Sequence, residues 1–294
     1  MSYAAGDGPR RSPGLRLLPI IIGLVAIGAL FARGCQQGPF GRNQLVAIQP
    51  QEEAALGAQA FQEVLSDAQV VNGGQIVEAV KEITVRLAQA AKNPEFLQLV
   101  QQPVQEMDWQ LSVVRSDECN AFCLPGGKIV VYTGILPVAE TDAGLATVIG
   151  HEISHALAHH GAERMAQTQV AQIGSTALGA AIGGDDPRQQ QQIMAALNAG
   201  AKFGILAYSR QHESEADHMG LLLMAAAGYD PRESVKFWER MQEFNNGPRP
   251  PEFLSTHPGH ETRVRQLQEW IPEAMPLYEA SKTRQPSTAL PGEI

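Results

Sequence analysis

The chain has 294 residues, a formal net charge of −9 and a pI near 5.4. With 44% hydrophobic and 18% charged residues it has the composition of a globular chain, long enough for one sizeable core. It carries no basic stripe, which argues against a nucleic-acid partner.

The N-terminus stands apart from the fold. Arg10, Arg11 and Arg16 precede an uncharged stretch from Leu17 to Ala32, which Arg33 closes. As a helix that stretch spans about 24 Å, slightly short of a bilayer core, and arginines at both ends can snorkel to complete it. An uncleaved anchor, a cleaved signal peptide and a lipoprotein signal ending at Cys35 all compete. The anchor is favoured: no A-x-A-like site ends the apolar run, and Ala32-Arg33 makes a poor lipobox. Residues 1–16 are then cytoplasmic and residues 17–32 form the anchor or signal segment. The excess of positive charge ahead of the stretch puts the remainder on the far side, the periplasmic face of an inner membrane in a bacterium. Lipoprotein and secreted forms stay open as alternatives, while Asp7 and the proline-rich start suit a mitochondrial presequence poorly.

Residues 33–50, rich in Gln, Gly, Pro and Asn, read as a linker into a domain over 51–271. Helical patterning runs from Glu52 to Leu65 and from Gln75 to Ala91, broken at Asn72-Gly73-Gly74. Trp109 to Arg115 alternates as a strand, and Lys128 to Tyr132 is a second. Asn120-Ala121-Phe122 should run extended between them, with Gly126-Gly127 as the turn. A long helix begins near Asp142, an acidic residue suited to a first turn. The expected architecture is α+β, mostly helical, with a small antiparallel sheet. Residues 272–294 read as a disordered tail.

That long helix carries His151-Glu152-Ile153-Ser154-His155, an H-E-x-x-H pattern. Residues four apart lie about 40° apart around a helix, one turn above the other, so both imidazoles reach one metal ion. Glu152 projects from the neighbouring face, free to act as a general base. The bland alternative is a solvated helix face. It is disfavoured by the apolar flank of Leu145, Val148, Ile149, Ile153, Ala156 and Leu157, which buries the helix and leaves the polar groups needing partners.

A catalytic zinc takes three protein ligands and keeps one position open. The third is sought in Glu213-Ser214-Glu215-Ala216-Asp217. Glu213 and Asp217 share a helix face, so Glu213 can bind the metal while Asp217 accepts a bond from a ligand histidine. Glu215 points elsewhere, and His212 and His218 are rivals without a carboxylate one turn on. His159 and His160 extend the zinc helix and are given a structural or surface role.

These blocks resemble the HtpX, BepA and Oma-type zinc metallopeptidases, membrane-linked gluzincins related to the CAAX prenyl proteases. The resemblance rests on four blocks in order: Asn120-Ala121-Phe122-Cys123-Leu124-Pro125-Gly126-Gly127, the H-E-x-x-H, the E-x-x-A-D, and Thr256-His257-Pro258 with Arg263 downstream. It covers roughly Gln51 to Trp270. It implies a zincin-like domain with one zinc ion per chain and a polypeptide substrate. It also implies a role for His257, as an oxyanion donor or a switchable fourth ligand, with Arg263 positioning its loop. The strand at Asn120, Ala121 and Phe122 would hold substrate by β-augmentation. The function expected is a membrane-anchored endopeptidase acting on extended or misfolded envelope proteins in quality control. The competing reading is a latent, chaperone-like binding protein whose metal site is closed by His257.

Three features depart from the pattern: the extreme N-terminus, the insert between the metal motifs, and the cysteines at 119 and 123. The Ala- and Gly-rich insert over 170–207 reads as a helical hairpin whose halves are too short to span a bilayer. Cys119 and Cys123, about 13 Å apart if the segment is a regular strand, lie beyond the roughly 7 Å that a disulfide tolerates.

Overall fold

The computed structural model describes residues 13–103, 105–182, 210–245, 253, 257 and 260–292. The chain divides into two compact units: 1–36 with 45–47 and 163–207, and 37–44 with 48–162 and 208–294.

In the first unit, helix α1 (Pro13–Gly34) has 22 residues, about 33 Å of helix. Its Leu17–Gly34 window has a mean hydropathy of 2.1 and is long and apolar enough to cross a membrane. The helix outruns the Leu17–Ala32 stretch at both ends, because arginine and proline near a helix terminus do not stop it. Gly23 lets α1 pack tightly within this unit; a Cβ there would lie 2.7 Å from Ala177 Cβ. The expected hairpin over 170–207 is helical as far as Ile182, and the rest of it, 183–207, lies outside the described residues.

The second unit holds the core. Helices α2 (Pro50–Ser66), α3 (Gln75–Ala90) and α4 (Pro94–Val100) lead into strand β3 (Gln110–Val114); two short strands that belong only in part to this unit, β1 (Cys35–Gln37) and β2 (Asn43–Leu45), precede them in the chain. Asn93 caps α4 by accepting from the Glu95 and Phe96 N–H groups. Strands β4 (Ala121–Leu124) and β5 (Lys128–Tyr132) form a hairpin whose turn uses Gly126 (φ 75°) and Gly127 (φ 84°), a backbone conformation glycine adopts without strain.

The sheet order is β3-β5-β4. β4 and β5 are antiparallel, but β3 runs parallel to β5, so the sheet is mixed rather than antiparallel throughout. Alternation marks a strand without revealing its partner: the β4–β5 hairpin places β5 in the centre, and β3 takes its free edge. The other edge belongs to β4, which among the described residues pairs on one side only.

Short helix α5 (Leu136–Ala139) precedes the buried helix α6 (Asp142–Leu157), which packs against α3, β4 and α9 (Glu233–Asn245). Thr141 caps α6 through Gly144 N–H. Helix α7 (His160–Ile182), helix α8 (210–226) and helix α10 (His260–Ala280) complete the set.

The expectation of a disordered tail from 272 is corrected. α10 runs on to Ala280, and beyond it Thr288 N–H and Oγ1, with Gln285 Nε2, bond the Asp142 carboxylate at 2.9–3.1 Å. Asp142 therefore does more than face a helix dipole: it ties the C-terminal segment to the start of α6.

Candidate metal centre

The site forms where α6 crosses α8. A Cβ built on Gly220 would stand 2.9 Å from the His151 backbone nitrogen, and one on Gly150 would stand 3.2 Å from the Gly220 carbonyl oxygen. Any side chain at Gly220 would separate the helices. With glycine there, the backbones touch, and Glu213 and Asp217 of α8 come level with His151 and His155 of α6.

His151, His155, Glu213 and His257 each offer one donor atom, and those four atoms lie within 4.8 Å of one another. His155 Nε2 is 3.1 Å from His151 Nε2, and Glu213 lies 3.3 Å from His151 Nε2 and 3.4 Å from His155 Nε2. Two ligands of a tetrahedral zinc at about 2.0–2.1 Å stand roughly 3.3 Å apart. Imidazole nitrogens and a carboxylate are donors zinc takes, and Glu152 Oε1 is buried beside them with no hydrogen-bond partner among the described residues. The residues fit a zinc ion.

His257 enters from a third direction. Its N–H donates to the Phe253 carbonyl at 3.0 Å, and Phe253 N–H in turn bonds the Cys119 carbonyl ahead of β4. The imidazole puts Nδ1 2.9 Å from Glu213 Oε2 and 3.2 Å from His151 Nε2, and Nε2 3.4 Å from Glu152 Oε1.

Behind the donors stands a buried network. His151 Nδ1 is 2.9 Å from Asp217 Oδ1, and Arg263 donates from Nε to Asp217 at 2.5 Å and from a terminal nitrogen to Glu213 at 2.9 Å. The Arg263 guanidinium lies 3.9 Å over the Trp238 ring. Among the described residues, Arg263, expected to position the His257 loop, makes its hydrogen bonds to the two α8 carboxylates.

The electrostatics follow from burial and neighbours. Burial works against a charge on His151, but Asp217 and Glu213 outweigh it and hold the pKa up at about 10. Burial drives His155 well below the ordinary histidine range and His160 down to about 4. Burial would also raise Glu213, yet His155, His151 and His257 together hold it low. A metal requires neutral imidazoles and an ionised Glu213, so binding one displaces the proton that Asp217 and Glu213 favour on His151. Glu152 is raised, chiefly by burial, against the pull of His257, His151 and the Cys123 backbone N–H.

The other candidates separate cleanly. Glu215 stays outside the donor cluster, bonded to Arg42 at 2.6 Å. His212 stacks on His160 at 4.4 Å, and His218 is sandwiched between Phe40 and Trp270, each at 4.4 Å. Among the strand residues, the Asn120 carbonyl accepts from Tyr132 N–H, and Ala121 and Phe122 pair with Val131 and Val130. β4 lies against α6. Cys119 and Cys123 are free thiols.

Sequence reading missed His160. It treated 142–160 as one helix, which would aim His160 away from His155. The structure ends α6 at Leu157 and gives His159 a positive φ of 54°, so the chain turns and brings His160 Nδ1 to 2.8 Å from His155 Nδ1. Histidine is among the non-glycine residues that tolerate this conformation, and here Glu53 holds its ring at 2.8 Å.

Comparison with known proteins agrees with this arrangement. The model of Peptidase family M48 matches residues 79–271, taking in β3 to β5, α6, α8 and the start of α10. The chain is 34% identical over 231 residues to the mitochondrial metalloendopeptidase OMA1 of Schizosaccharomyces pombe, covering 78% of this chain and 64% of that protein. It is 37% identical over 182 residues to the OMA1 protein of Saccharomyces cerevisiae (59% and 50%). It is 27% identical over 221 residues to the beta-barrel assembly-enhancing protease of Escherichia coli (72% and 42%). The chain thus spans from under half to just under two thirds of these relatives' lengths. A match across every element that builds the donor cluster assigns the chain to its family: it is a member of Peptidase family M48.

Proposed function

We propose that the protein is a membrane-anchored zinc endopeptidase that cleaves extended or misfolded polypeptide, acting in quality control of envelope proteins. The observation that carries this reading is the convergence of His151, His155 and Glu213 on one point, with Glu152 Oε1 buried beside it and without a hydrogen bond among the described residues. Zinc, when bound, supplies Lewis-acid polarisation of the scissile carbonyl and of the attacking water.

The chain's own groups do the rest. Glu152 accepts the proton of the attacking water and passes it to the leaving amine. Its raised pKa makes it a stronger base than an exposed glutamate. Glu213 and the two histidines hold the metal, Asp217 fixes the His151 ring, and Arg263 clamps Asp217 and Glu213. The edge of β4 that is unpaired among the described residues, at Ala121 and Phe122 with Asn120 just before it, takes a peptide main chain by strand pairing, alongside α6.

The placement of α1 and the arginines before it supports an inner-membrane anchor with the catalytic unit on the periplasmic side of a bacterium. The test is metal content together with turnover of an unfolded protein such as casein. One zinc per chain with cleavage abolished by chelator supports the reading, whereas casein turnover that survives full metal removal contradicts it.

A specific observation favours a latent state of the same enzyme. His257 Nδ1 sits inside the donor cluster, against Glu213 and His151, where a fourth ligand would close the open position. Activation then requires His257 to withdraw.

A further inference from the structure

His151 is backed by a carboxylate and an arginine, Asp217 and Arg263. His155 has a longer chain behind it, drawn from a different part of the sequence. Its Nδ1 lies 2.8 Å from His160 Nδ1. The other nitrogen of His160 lies 3.4 Å from Glu215 Oε1, the long end of hydrogen-bond range. Glu215 Oε2 accepts from Arg42 Nε at 2.6 Å. His160 and Glu215 are buried, His212 stacks on the His160 ring at 4.4 Å, and the Arg42 side chain is only 15% exposed.

If His155 directs the Nε2 lone pair into the donor cluster, its proton is on Nδ1. That N–H then donates to His160 Nδ1, which must be the acceptor. The His160 proton is therefore on Nε2, facing a carboxylate whose orientation Arg42 sets. Each link fixes the tautomer of the one before it.

Arg42 lies in residues 37–44, eight positions beyond the end of α1 at Gly34. The same segment places Phe40, at a positive φ of 53°, flat against His218 on α8 at 4.4 Å and 7°. Phe40 and Arg42 thus grip the helix that carries Glu213 at two points one turn apart.

We propose that His160, Glu215 and Arg42 are positioning residues for the metal ligand His155, so that the segment following the membrane helix supplies part of the metal centre. The proposal rests on the zinc reading of the donor cluster.

The test uses the full chain in detergent micelles. Zinc affinity is measured by competition with a chromogenic chelator, and the absorption spectrum of the cobalt-substituted protein reports ligand geometry. His160→Phe, which keeps the stack on His212, should weaken zinc by about ten- to a hundred-fold and alter the cobalt spectrum. Arg42→Met should weaken it by up to about tenfold, with Arg42→Lys recovering part of the loss. Because Arg42 acts through His160, His160→Phe combined with Arg42→Met should bind zinc no more weakly than His160→Phe alone. Should His160→Phe not fold, Glu215→Gln carries the test, with a loss of up to about tenfold expected. Folded variants with zinc affinity within about twofold of the parent and an unchanged cobalt spectrum overturn the proposal. A parent protein that binds no zinc overturns instead the reading on which it rests.

Discussion

Replacing Arg263 by methionine removes one guanidinium and leaves two buried carboxylates behind. Arg263 is 2% exposed; it bonds Asp217 at 2.5 Å and Glu213 at 2.9 Å, both themselves buried. Breaking a buried ionic network by removing one partner costs about 3–5 kcal/mol, while methionine retains much of the contact with Trp238. For a folded unit of this size each kcal/mol moves the melting temperature by about 2–4 °C, so the metal-free protein should melt about 6–20 °C lower. Zinc compensates part of the loss, because it gives the Glu213 carboxylate another cation. The drop should therefore be smaller for zinc-loaded than for chelator-treated protein, measured by circular dichroism in parallel melts. Arg265→Met is the control: its guanidinium is exposed and 3.8 Å from Glu269, a surface pair worth less than about 0.5 kcal/mol. A metal-free Arg263→Met protein melting within about 2 °C of the parent would refute the network argument.

Gly220→Ala drives a methyl group to 2.9 Å from the His151 backbone nitrogen, so it should cost about 1–3 kcal/mol and weaken zinc binding, read by melting and by metal content after dialysis; full retention of both would contradict the close crossing. His257→Ala should leave casein turnover equal or higher if His257 closes the open position, whereas a loss of about 10²-fold or more would make it an oxyanion donor instead. Burial pushes the Cys119 thiol up to about 12, so it is not a thiolate at pH 9 and should resist iodoacetamide in the native protein while reacting after unfolding, as peptide mass mapping would show.

What the sequence disclosed and what it hid divide on physical grounds. His151 and His155, and Glu213 and Asp217, are pairs four apart on helices, so the local period already puts each pair on one face. The β4–β5 hairpin was legible because Gly126 and Gly127 mark a turn requiring positive φ. The crossing of α6 over α8 was hidden because it depends on side chains that Gly150 and Gly220 lack, and an absent side chain leaves no periodic trace. His160 was hidden by the break at His159, where a non-glycine residue in the left-handed region ends the helix without the usual signal. Arg42 is 173 residues from Glu215, and a single acidic and a single basic residue that far apart carry no mark of their pairing. Pro272 and Pro276 lie inside α10, and the bonds that hold the segment beyond it are made to Asp142, 143 and 146 residues away, which no local pattern marks.

The account turns on the division of labour between Glu152 and its neighbours: a base beside the metal, with the ligands elsewhere. Glu152→Gln tests this most directly, with zinc content and casein turnover measured on the same preparation. The account predicts about one zinc per chain and cleavage reduced by about 10²-fold or more. A variant that cleaves casein near the parental rate, or that loses its zinc, would contradict it.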